Sequence, residues 1–112
     1  MPRALHLDDD ALTVRFSGWM VLGTLQRRVH LPYAAVRSVR VEPWPRREAH
    51  GRFTRNGRRL FFSFDDPQRV VRLDLVGGPY DEAVIGAPDP RALARAIECR
   101  LAQLDAVPAR AA

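Results

Sequence analysis

The segment PWPRREAHGRFTRNGRRLFF, residues 43–62, holds six arginines and four aromatic side chains in twenty positions. Guanidinium groups at this density are suited to anion recognition. Each presents a planar fork of N–H donors matched to carboxylate or phosphate oxygens. Arg46, Arg47, Arg52, Arg55, Arg58 and Arg59 are therefore the candidate anion-binding residues, with Glu48 the sole acid among them.

The same stretch also has a structural explanation. Asn56-Gly57 is a strong hairpin signal, because both residues tolerate the positive φ of a type I′ turn. A two-residue loop there pairs Arg55 with Arg58, Thr54 with Arg59, Phe53 with Leu60 and Arg52 with Phe61. Phe53, Leu60, Phe62 and Phe64 then share a core face. Arg52, Thr54, Arg59, Phe61 and Ser63 fall on the solvated face, where Arg52 stands opposite Phe61 at cation–π range. Arginines on such a face keep an edge from pairing with other chains. What a hairpin does not require is the density, including like charges directly opposite at positions 55 and 58.

Composition tempers the charge argument. All eighteen basic residues are arginine and lysine is absent, a bias that matches GC-rich codon usage. The net charge of +5 and pI near 10.9 still set a positive field that favours acidic partners.

Other reactive side chains do not assemble into a catalytic pattern. His6, His30 and His50 lie in separate elements with no helical metal-pair spacing. Asp8, Asp9 and Asp10 are consecutive, so on an extended chain they point alternate ways and read as a solvated turn. Ser17, Ser38 and Ser63 lack a nucleophile-elbow context. The single cysteine, Cys99, sits deep in a predicted helix, away from the helix N-terminus that would activate a thiolate. No catalytic residue, metal site or cofactor is expected.

The elements that position these residues are mainly β. Leu12, Val14 and Phe16 alternate with Thr13, Arg15 and Ser17, the two-residue period of a half-buried strand. A second strand follows: residues 18–25 are mostly apolar, and Leu25, Val29 and Leu31 then oppose Gln26, Arg28 and His30, with Gly23 marking a bend. Pro32 opens a short helical or turn segment, and alternation resumes through Val39 and Val41. After the hairpin come strands through Val71, Leu73 and Leu75 and through residues 80–89. Asp89 is an N-cap with Pro90 at the first helical position. Leu93, Ile97, Leu101 and Leu104 then line one helical stripe, which must bury itself on the sheet.

Three stretches carry a family resemblance. LTVRFSG leads to a return strand. Leu31-Pro32-Tyr33-Ala34-Ala35-Val36-Arg37-Ser38-Val39 stands where bacterial pleckstrin-homology-like (PH-like) domain proteins carry an IP-x-x-x-I-x-x-V element. The closing VIGAPDPRALARAIECRL resembles their strand-to-helix exit. The resemblance implies an α+β, mainly β fold: an open barrel of about seven antiparallel strands capped by one C-terminal helix. It also implies a non-enzymatic binding or assembly module. The headgroup pattern of eukaryotic PH domains does not carry over, because the first loop here, SGWMVLG, is uncharged.

The expected organisation is one domain over residues 1–106, with strands about 11–87, a helix about 90–105 and a flexible tail at 107–112. No apolar run approaches the ~18 residues that span a bilayer, and no secretory signal is visible, so a cytoplasmic location is expected. The leading functional expectation is protein–protein interaction, including homo-oligomer formation through an interface at Trp19, Met20 and Trp44. The alternative is an anionic surface, lipid headgroup or nucleic acid, bound by the 46–59 arginines; of these, a lipid headgroup would place the chain at the inner membrane face.

Overall fold

Asn56 and Gly57 adopt φ of 53° and 78°, and the hairpin closes around them in the register expected from the sequence. Arg55 faces Arg58, Thr54 faces Arg59, Phe53 faces Leu60 and Arg52 faces Phe61. The computed structural model describes residues 3–16, 28–45 and 50–111. The expected strand across residues 18–27, with its bend at Gly23, lies outside them, as do Trp19, Met20, Arg46 and Arg47.

Eight strands and one α-helix make up the described residues. In chain order they are β1 (Arg3–Leu7), β2 (Ala11–Phe16), β3 (Arg28–Pro32), β4 (Val36–Arg40), β5 (His50–Arg55), β6 (Arg58–Ser63), β7 (Val70–Leu75), β8 (Glu82–Gly86) and α1 (Pro90–Ala111). A single 3-10 turn, Tyr33–Ala35, links β3 to β4 at the segment Pro32 was expected to open. The strands form a three-stranded sheet, β1-β2-β3, and a five-stranded sheet, β4-β7-β8-β6-β5.

This corrects the expected architecture in two respects. The two sheets do not close into a barrel, and the strands are not all antiparallel, since β6 and β8 pair in parallel. The reason is visible in β8, whose five residues are all buried. A central strand covered on both faces reads as a continuous apolar run and tolerates a parallel neighbour. Strand β1 is an addition to the expected set. Its Leu5 and Leu7 pack on the core while Ala4 and His6 face solvent, and the Asp8 to Asp10 turn folds it back onto β2.

The main core lies between the sheets. Leu12, Val14, Val29 and Leu31 from the small sheet meet Phe61, Val71, Leu73, Ala83 and Ile85 from the large one. Helix α1 closes this layer with Leu93, Ala94 and Ile97, and Leu101 and Leu104 pack at its margin. Asp89 Oδ1 accepts the Ala92 N–H at 3.1 Å, the side-chain cap expected at this end. A second cluster of Trp44, Leu60, Phe62, Phe64, Val70 and Val84 covers the opposite face of the large sheet. Gly86 is needed where these layers meet, since a Cβ there would sit 2.7 Å from the Phe64 Cβ.

Ile97 is fully buried, so truncation leaves a cavity in the helix–sheet contact. Ile97→Ala should lower unfolding free energy by about 2–5 kcal/mol in a urea titration. A loss below about 1 kcal/mol would show that α1 does not seal the core.

Candidate anion-binding site

Strand alternation divides the hairpin arginines between two faces of the large sheet. Arg58 shares its face with Leu60 and Phe62, while Arg59 shares the other with Thr54 and Phe61. On the Arg58 face, the apolar cluster gives way to a row of charges crossing β4, β7, β8 and β6. Glu82 lies at its centre with a side chain only 6% exposed.

Arg72 Nε donates to Glu82 Oε2 at 2.9 Å, and Arg58 Nη2 reaches Oε1 at 3.4 Å. Arg40 Nη2 lies 3.7 Å from Glu82 Oε2 and 3.4 Å from Asp74 Oδ1. Glu42 bridges Arg40 and Arg72 at 3.2 and 3.4 Å, and the Ser38 hydroxyl donates to Asp74. Three guanidiniums and three carboxylates thus neutralise one another. Arg72 also lies over the Trp44 ring, 4.9 Å from its centroid. That cation–π contact takes the place of the one expected between Arg52 and Phe61. Phe61 is fully buried and stacks on Tyr80 at 5.4 Å, so it is not on a solvated face.

The other face opens into a cleft of about 500 Å³ between the two sheets. Strand β3 contributes Arg28, Val29 and His30; the hairpin contributes Arg52, Thr54 and Arg59, with Phe53 and Leu60 of the other face reaching its edge; Pro79 and Tyr80 complete the rim. Arg28 and Arg52 are exposed and make no ion pair with any described residue. Arg59 is held by Asp81, through Nε to Oδ2 at 3.3 Å and Nη2 to Oδ1 at 3.2 Å. Asp81 Oδ2 also accepts the Arg59 backbone N–H at 2.8 Å. The Arg59 guanidinium and that N–H hold the Asp81 carboxyl below the usual carboxylate range, and the side-chain bond to Asp81 and its charge raise Arg59.

Behind the cleft, the Thr13 hydroxyl lies 2.9 Å from Asp8 Oδ2 and 3.4 Å from His30 Nδ1. Tyr33 donates its phenol proton to the Asp8 carbonyl at 2.9 Å. Burial, reinforced by the charges of Asp8, Asp9 and Asp10, raises the Tyr33 phenol against the opposing pull of Arg100.

Of the six arginines singled out by sequence, then, Arg52 and Arg59 reach one cleft, Arg58 faces away from it and Arg55 is half-buried beside the turn. Trp44, a candidate interface residue, is only 8% exposed and stacks on Phe62 at 4.9 Å, so it lies as a lid on the second cluster. Arg28, Asp81 and Glu82 were not singled out. Alternation marked Arg28 as a polar strand position, and only the sheet order shows what all three meet.

No three of His, Cys, Asp and Glu converge as metal ligands among the described residues. No helix among them is long and apolar enough to cross a membrane. Comparison with protein-family models, curated proteins and solved structures gives no match.

Two outcomes follow from the two carboxylates. Glu82→Gln leaves three guanidiniums around a neutral, buried amide, and should cost about 3 kcal/mol in urea unfolding; a near-neutral result would mean that water already screens these arginines. Asp81 acts through pH instead. Its folded-state pKa is depressed, so its contribution is present above the unfolded carboxylate value near ~3.9 and fades as pH falls through the folded value. Acid titrations of the native chain and Asp81→Asn should differ above that window and converge below it.

Proposed function

We propose that the chain is a binding module that takes up an anionic group of its partner in the cleft between β3 and the β5–β6 hairpin. The observation that carries this reading is the distribution of charge. Arg40, Arg58, Arg59 and Arg72 are matched to carboxylates, whereas Arg28 and Arg52 meet at the cleft with no described acid to balance them. Two unbalanced guanidiniums at one mouth cost self-repulsion, which an anion relieves.

The groups lining the cleft suit holding rather than turnover. Arg28, Arg52 and Thr54 are hydrogen-bond donors at its surface, and Tyr80 and Val29 give it an apolar floor. The resemblance of residues 31–39 and of the helix exit to bacterial PH-like proteins, which are mostly uncharacterised and often taken as binding or assembly modules, is in keeping with the same reading. The anion site proposed here differs from a headgroup loop, because it lies between the sheets and not in the first hairpin turn.

Retention on a polyglutamate matrix across a salt gradient tests the proposal. The native chain should bind at low ionic strength and elute as salt rises. Arg28→Ala/Arg52→Ala should elute well before Arg91→Ala/Arg95→Ala, although both remove two exposed charges. Equal shifts would mean that net charge alone, and not the cleft, holds the anion.

A further inference from the structure

We infer that the cleft is built for a phosphate-class oxyanion, and that Asp81 occupies Arg59 as an internal competitor until that anion arrives. This rests on the binding reading above and adds the ligand's chemistry and a device that tunes its affinity.

The ligand class follows from the donors. Arg28 and Arg52 leave two positive charges unmatched, and Thr54, directly opposite Arg59, adds a hydroxyl to the same wall. A lone carboxylate brings one charge and two oxygens. A phosphate monoester brings roughly −1.5 to −2 charges and three strong acceptor oxygens, which match several guanidinium forks at once. A cleft of about 500 Å³ has the size of a small-molecule site. It is not the long basic stripe that a nucleic-acid backbone needs.

The competitor follows from the clasp. Both Asp81 oxygens face the Arg59 guanidinium in the same way that a bound oxyanion would. The pair is exposed, at 54% for Arg59 and 34% for Asp81, so its replacement by a better anion is cheap. Asp81 does not depend on that contact for its position. Its carboxylate accepts the Arg59 backbone N–H, and its own N–H donates to the Arg59 carbonyl at 2.8 Å. Arg59 Nη2 also donates to the Gly78 carbonyl at 3.2 Å, a neutral partner that it gives up readily. The guanidinium is thus free to turn into the cleft, while the backbone on which it stands stays fixed.

The test is a titration of the full chain with inorganic phosphate and with pyrophosphate, followed by the side-chain Nε–H resonances of arginine. Arg28, Arg52 and Arg59 should shift together, while Arg72, tied to Glu82 on the opposite face, stays still. Arg28→Ala and Arg52→Ala should each weaken binding about tenfold, Arg58→Ala should leave it unchanged, and Asp81→Asn should tighten it several-fold. If Arg28 and Arg52 respond while Arg59 does not, and Asp81→Asn binds no tighter, the competitor is overturned and the cleft reading stands. If the cleft resonances ignore both phosphates yet respond to citrate or to vesicles of anionic lipid, the ligand class is overturned and the anion site stands. Silence to every anion, together with matrix retention indifferent to Arg28 and Arg52, overturns both.

Discussion

Glu82 is the constraint around which the large sheet is arranged. A carboxylate 6% exposed is costly to bury unless cations and hydrogen bonds surround it, and here Arg40, Arg58 and Arg72 converge from three other strands. Those arginines tie β4, β7, β8 and β6 together on the part of the Glu82 face that the second apolar cluster does not reach. The same contacts bear on the parallel β6–β8 pairing, since Leu60 opposite Glu82 puts Arg58 within reach of the carboxylate. The acid therefore favours one register, and it pairs with Arg58 while about half of that side chain stays exposed.

The division between structural and available charge is set by strand parity. Neighbouring residues of β6 point to opposite faces, so Arg58 and Arg59 have different fates despite their adjacency. One stabilises the sheet and the other stands at a cleft. Sequence density alone therefore does not separate Arg58, paired with Glu82, from Arg59 at the cleft. It also gives no sign that Arg28 of β3 lines the same cleft as the hairpin arginines.

Much of the fold was legible in the chain. The Asn56-Gly57 turn gave the hairpin register residue by residue, and the Leu93 to Leu104 stripe gave the helix and its buried side. These are local signals: a dipeptide with special backbone freedom and a 3.6-residue period. What was not legible depended on partners far along the chain. Phe61 looked solvated because alternation assigns a face without saying what covers it, and both faces of β6 are covered. The parallel pairing of β6 and β8 could not be read from hairpin rules, which describe neighbours joined by short turns. Glu82 was one acid among others until the sheet order put three arginines beside it.

The two-residue turn at Asn56-Gly57 fixes more than the reversal of the chain. It sets the phase of β6 relative to β5, and with it which arginine meets carboxylates and which meets the cleft. Lengthening or shortening this loop by one residue would shift that phase by half a period, exchanging Phe61 and Phe62 between the two buried clusters along with the charges. Length variation at the loop is thus far more damaging than substitution there.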